Sequence, residues 1–122
     1  MRFTLDSTSG INLIRGYAPG EFLINDQRIP SAVLVSATEI AVEPQLRELA
    51  DLGAELAARI LRMDPEVVLL GTGVRQEFPA PAFGAQFLRA QIGFEVMDSG
   101  AACRTFNVLV AERRRAVAVL LP

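Results

Sequence analysis

The chain has no histidine and no lysine, and its single cysteine is Cys103. Without histidine there is no imidazole to activate a serine or cysteine nucleophile, and none to ligate a metal ion. Without lysine there is no Schiff-base amine and no phosphate-gripping lysine of a P-loop. All twelve cations are arginines. An oxygen-only site for a hard cation is compatible with this composition, but no segment spaces its carboxylates as a calcium loop does. One cysteine cannot form an internal disulfide, and nothing else points to an oxidising compartment. No run reaches the roughly 18 apolar residues of a membrane span. The opening Met1 to Asp6 has no apolar stretch of the kind a secretory signal needs. The expectation is a cytoplasmic protein with no transmembrane segment. The net charge of −2 is spread through the chain and leaves no basic footprint for nucleic acid. Arg113-Arg114-Arg115 is the one cationic run, and it reads as a solvated turn that also suits a helix C-terminus.

What is present is a single domain over residues 1–122 with 51% apolar residues, enough to bury a core without staples. The first third reads as β. Ile11 to Tyr17 is a strand and Ala18-Pro19-Gly20 a turn. Glu21–Ile24 and Arg28-Ile29 flank Asn25-Asp26-Gln27, a three-residue hairpin turn. Ala32–Val35 and Ile40–Val42 are short apolar runs. Pro44 suits the first turn of a helix, and Leu46, Leu49, Leu56 and Ile60 fall near one helical face. Asp51-Leu52-Gly53 splits that region into two short helices, and Asp64-Pro65 stops it.

Val67–Leu70 is a continuous apolar run, the signature of a strand buried on both faces. Gly71-Thr72-Gly73 ends it. Ala82 to Ile92 then reads as a helix with Gly93 as its C′ residue. Phe94–Met97 is the next strand, Ser99 to Glu112 the next helix, and Ala116–Leu121 the last strand. Parallel pairing through right-handed crossovers is the default for such a series. The fold class is therefore α/β, three-layer. It has a mixed central sheet, with an antiparallel β-hairpin layer first and βαβαβ second.

If the strands at 67–70 and 94–97 are parallel neighbours, their C-terminal ends share one sheet edge, where open α/β sheets bind ligands. Gly71, Thr72 and Gly73 then face Asp98 and Ser99 across it, and the glycines admit close main-chain approach. The start of the Ser99 helix supplies a positive dipole end, and Arg75 and Arg104 could complete a pocket for a small anion. The competing reading is that the glycines only turn the chain and Asp98 or Ser99 only caps the helix. Cys103 sits at the edge of the apolar arc of Ala102, Phe106, Leu109 and Val110. It is either a small buried hydrophobe or a redox-sensitive thiol near a helix N-terminus. Asn107 is a poor mid-helix residue with a hydrogen-bond task, expected to be bracing the Gly71–Gly73 loop.

These same residues carry a resemblance. Gly71-Thr72-Gly73 with Arg75, then Asp98-Ser99, Ala102-Cys103 and Thr105-Phe106-Asn107, resemble the signatures of a family of small uncharacterised domains. That family includes the mitochondrial respiratory complex I assembly factor (the third alpha-subcomplex factor) and the adipogenesis-associated domain protein of animals. Glu112-Arg113, Ala116–Leu120 and Tyr17–Val35 extend the likeness over nearly the whole chain. The resemblance implies a three-layer α/β fold, no established reaction, and work by protein association. The expected function is that of a bacterial, non-catalytic protein-interaction or complex-assembly factor with a protein partner and no cofactor. The alternative is a small-molecule or anion-binding protein, or an enzyme, using the pocket of Gly71, Gly73, Arg75, Asp98, Ser99, Cys103 and Arg104.

Overall fold

The computed structural model describes residues 10–122; the opening Met1 to Asp6 lies outside them. β1 (Ile14–Ala18), β2 (Glu21–Ile24) and β3 (Gln27–Ile29) form an antiparallel three-stranded sheet in sequence order. Pro19-Gly20 joins β1 to β2, with Gly20 at φ +94, where an L side chain would be strained. The β2–β3 turn has two residues rather than three, because Gln27 already pairs with Ile24. Asn25 takes a left-handed φ of 54, which asparagine tolerates. β1 begins at Ile14, later than expected, and carries a bulge at Arg15 between Ile14 and Gly16.

The second sheet has five strands in the order β5-β4-β8-β6-β7. These are β4 (Val33–Ser36), β5 (Ile40–Val42), β6 (Val67–Thr72), β7 (Gly93–Met97) and β8 (Ala116–Leu121). β6 pairs in parallel with both β7 and β8, while β4 runs antiparallel to β5 and β8. The last strand in sequence is thus the central one, and all six of its residues are buried.

Side-chain alternation assigns the two faces of this sheet. Val33, Val35, Val67, Leu69, Ala116, Ala118 and Leu120 point to one side. There they meet Phe22, Ile24 and Ile29 of the small sheet, and Phe106 and Val110 of α3 (Ser99–Ala111). Leu34, Val68, Leu70, Val117, Val119 and Leu121 point to the other side. They meet Leu56 and Ile60 of α1 (Ala54–Arg62), and Phe83 and Phe87 of α2 (Pro81–Arg89). The result is three layers: α3 beside the small sheet, the mixed sheet, and the α1–α2 pair.

Two further boundaries differ from expectation. Residues 44–48 are not helical, and only a 3₁₀ turn at Leu49–Asp51 precedes α1. The Asp51 carboxylate accepts the Arg47 and Glu48 N–H groups at 2.8 and 3.0 Å, so side-chain bonds satisfy donors that a helix start would leave free. Glu43, buried just before this stretch, accepts two hydrogen bonds from Arg59 of α1, at 2.6 and 3.3 Å, and one from Gln45. At the end of α2 the left-handed residue is Gln91 (φ 62); Gly93 is already in β7, opposite Val67. Arg113 (φ 61) ends α3, and the Arg115 guanidinium reaches the Asp64 carbonyl, which accounts for the cationic run as a turn. No helix among the described residues is long and apolar enough to cross a membrane.

Candidate functional site

β6 and β7 are parallel neighbours, so the two loops do share an edge. Asp98 leaves β7 in extended conformation, and its carboxylate accepts the Ala101 N–H at 2.8 Å, capping α3. Ser99, the next residue, is 0% exposed. Its N–H donates to the Gly73 carbonyl at 2.8 Å; its hydroxyl accepts the Gly73 N–H at 2.8 Å and donates to the Leu121 carbonyl at 2.5 Å. One serine therefore ties the start of α3 to the ends of β6 and β8. Gly71 permits this approach: a Cβ there would lie 2.9 Å from the Ser99 hydroxyl oxygen and 3.0 Å from its Cα. Gly73 has φ +92 and packs against the Pro122 carbonyl.

Thr72 organises the following loop. Its hydroxyl lies 2.6 Å from the Arg75 carbonyl, to which it donates, and accepts the Glu77 N–H at 3.0 Å. The Gln76 amide donates to the Val96 carbonyl at 2.9 Å, on the outer side of β7. Arg75 itself is exposed, and none of the ion pairs among the described residues involves it. At the junction of Gly71, Thr72, Gly73, Asp98 and Ser99 the side chains of Thr72, Asp98 and Ser99 are thus each engaged in hydrogen bonds to main-chain groups.

Cys103, Arg104 and Asn107 lie farther along α3, on the side turned towards β1. Asn107 does not brace the Gly71–Gly73 loop. Its side-chain oxygen accepts the Ile14 N–H at 2.9 Å, and its amide donates to the Ile14 carbonyl at 2.8 Å. It substitutes for a neighbouring strand along the β1 edge, two turns down the helix from Ser99, which explains the placement of a poor helix former here. Cys103 is 5% exposed, and burial pushes its thiol up to about 12; the nearby Arg104 opposes the rise and Asp98 adds to it. A thiolate is disfavoured at this position. Arg104 is exposed on the same side of the helix.

Sequence reasoning missed Tyr17, which stands against this part of α3. Its ring stacks on Phe22, with centroids 5.1 Å apart, and its hydroxyl is raised above its ordinary pKa by burial, with Cys103 and Asp98 adding. Tyr17 is the only tyrosine in the chain, but nothing in its local sequence shows that the hairpin docks on the helix.

A second surface lies across the sheet. β7 is an edge strand, and beside it runs a groove of about 560 Å³ lined by Phe78, Pro79, Pro81, Leu88, Phe94 and Val96. Glu95 is its one charged lining residue. Phe78 and Leu88 are 73% and 61% exposed.

The fold and the closed junction together define a small three-layer α/β domain with a mixed sheet and a serine-locked strand-to-helix turn. The chain belongs to the protein family of unknown function DUF498/DUF598, whose model matches residues 14–121. This agrees with the resemblance carried by the Gly71–Arg75 and Asp98–Asn107 signatures. The chain is 33% identical over 114 residues to NADH dehydrogenase (ubiquinone) 1 alpha subcomplex assembly factor 3 of Danio rerio. That match covers 90% of this chain and 64% of the relative, so the chain spans less than two thirds of that protein's length. It is 27% identical over 106 residues to a 13 kDa major membrane protein of Francisella tularensis, covering 86% of each. A crystal structure of a Bordetella parapertussis protein shares 36% identity and a TM-score of 0.84, over 93% of this chain and 97% of that one.

Proposed function

We propose that the chain is a non-catalytic assembly protein that binds a polypeptide partner along the open edge of β7. The observation that carries this reading is the apolar groove, where Phe78 and Leu88 stand largely in solvent beside an edge strand that no other strand covers and whose Val96 carbonyl is held by the Gln76 side chain. Apolar surface gathered in one place in this way marks an interaction site. The occupant that fits is an extended segment of another protein. Its main chain would pair with β7 and its apolar side chains would enter the groove. Assembly as the purpose of that binding comes from the relatives named as NADH dehydrogenase assembly factors, so the partner is a subunit of a membrane respiratory complex. The filled junction at Ser99 supports a structural role for the signature residues there. We place the protein in the cytoplasm, from which it reaches the membrane through its partner.

The test is complementation of a deletion strain of the native host with wild type and with the double variant Phe78→Glu, Leu88→Glu. Both positions are exposed, so the variant keeps its circular dichroism spectrum. Assembled NADH dehydrogenase on native gels falls with the deletion and is restored by wild type but not by the variant. Full restoration by the variant, or an unchanged complex in the deletion strain, overturns the proposal. So does light scattering that shows the groove to be occupied by a second copy of the chain.

A further inference from the structure

β7 is an edge strand of five residues, and such a strand offers a row of main-chain groups to any other chain that arrives. In its parallel ladder with β6, the Gly93 N–H donates to the Glu66 carbonyl, so Gly93, Glu95 and Met97 turn their main-chain groups towards β6. Phe94 and Val96, between them, turn theirs outward. The side chains of these two residues pack on the α1–α2 side of the sheet.

One of the outward groups is already taken. The Gln76 side-chain amide donates to the Val96 carbonyl at 2.9 Å, in the place where the N–H of an added strand would come. The loop that carries Gln76 is fixed from β6. At the end of that strand the Thr72 hydroxyl donates to the Arg75 carbonyl at 2.6 Å and accepts the Glu77 N–H at 3.0 Å. The residues on either side of Gln76 are therefore pinned to one oxygen. Gln76 itself is exposed, and one hydrogen bond in solvent adds little to stability. Its effect falls instead on what the edge can accept.

Edge-to-edge pairing of two copies brings no free side chain of β7 into the groove, because Phe94 and Val96 are committed to their own core. A twofold contact is the same on both sides, so it would displace Gln76 in each copy. An extended segment of another protein displaces Gln76 once and brings apolar side chains to the groove. We propose that Thr72 and Gln76 form a guard on β7: Thr72 sets the loop, Gln76 occupies the Val96 acceptor, and the strand is kept from pairing with a second copy of the chain. That the edge is thereby reserved for a partner rests on the function proposed above; the guard against self-pairing does not. Gln76 determines specificity and Thr72 positions it, which gives the middle residue of Gly71-Thr72-Gly73 a task beyond the turn.

The test uses the purified chain with no partner. Wild type, Gln76→Ala and Thr72→Val are followed by sedimentation velocity over a range of concentrations, with amide shifts read by NMR on the same samples. Wild type is expected to stay monomeric. Gln76→Ala keeps the circular dichroism spectrum and self-associates about tenfold more tightly, the worth of the hydrogen bonds that pairing no longer breaks in the two copies. Concentration-dependent shifts centre on Phe94 to Met97. Thr72→Val moves association in the same direction although Gln76 is still present, which a purely structural threonine would not do. Either variant associating no more tightly than wild type overturns the guard, and so does association through another face, without shifts along β7. Those results leave partner binding standing, since complementation with Phe78→Glu, Leu88→Glu judges it separately. Wild type that already dimerises along β7 overturns both.

Discussion

Replacing Ser99 by alanine removes a single oxygen atom and strands two main-chain groups, the Gly73 N–H and the Leu121 carbonyl. Water cannot readily take over, because Ser99 is fully buried and both partners lie at the closed ends of central strands. Each buried group left unpaired costs about 1–3 kcal/mol, which sets the expected loss at about 3 kcal/mol. That is a large share of the roughly 5–15 kcal/mol that holds a domain together. For a chain of this length it corresponds to a fall of about 10 °C in the melting midpoint. Urea denaturation followed by far-UV circular dichroism reads the loss as a lower midpoint with an unchanged slope. Gly71→Ala approaches the same junction from the other side. Its new Cβ meets the Ser99 hydroxyl and the Ser99 main chain, and overpacking of this kind costs about 1–3 kcal/mol. The double variant loses less than the two single losses combined, since deleting the hydroxyl frees part of the space that the Cβ needs. A Ser99→Ala variant within about 0.5 kcal/mol of wild type, the range of an ordinary surface change, refutes the view that this serine locks the sheet.

Asn107→Ala removes both bonds to Ile14. It should cost about 1–3 kcal/mol and accelerate hydrogen exchange at the Ile14 amide while leaving Gly73 protected. Glu43 is held below its ordinary pKa chiefly by its hydrogen bond to Arg59. A depressed carboxylate stabilises the native state above its unfolded pKa, about 4.3, and loses that contribution as pH falls through its folded value. Glu43→Gln should therefore flatten the acid limb of a stability–pH curve. Cys103 behaves in the opposite sense. With its folded pKa raised to about 12, the unfolded chain gives up the thiol proton first, and stability declines as pH rises above about 8.5. Cys103→Ala reduces that alkaline slope. Labelling of the native thiol by an aromatic disulfide at neutral pH should be slow and should accelerate with denaturant.

The βαβαβ half was legible because its signals are local. The apolar run Val67–Leu70 is buried on both faces, and a strand of that kind declares itself without its neighbours. A cap at Asp98 or Ser99 followed from the strand-to-helix junction alone, and the structure gives it to Asp98 with Ser99 as the first helical residue. What was not legible depends on groups far apart in sequence. Asn107 was rightly assigned a hydrogen-bond task but the wrong partner, because Ile14 lies 93 positions away. Tyr17 reaches the helix only after the hairpin docks. Glu43 looks like an ordinary surface acid until Arg59 is placed beside it. The stretch after Pro44 has helical spacing, yet Asp51 claims the N–H groups that a helix start would use. At the candidate site, the shared edge of β6 and β7 was correctly inferred. That the Ser99 hydroxyl would occupy it required the register of β8, which no local pattern encodes.

The central position of β8 has a consequence for how the molecule is made. A ribosome delivers the chain from its N-terminus, so β4 with β5 and β6 with β7 emerge well before the strand that lies between them. Until Ala116–Leu121 leaves the exit tunnel, β4 and β6 each expose an apolar edge to an empty slot, and no ladder joins the two halves. Contacts this distant in sequence form late and slowly. A nascent chain stalled before Ala116 therefore carries two open strand edges, the kind of surface that chaperones cover and aggregates recruit. Completion of the fold is gated by the arrival of six residues, and translational pausing upstream of them would lengthen the period of greatest exposure.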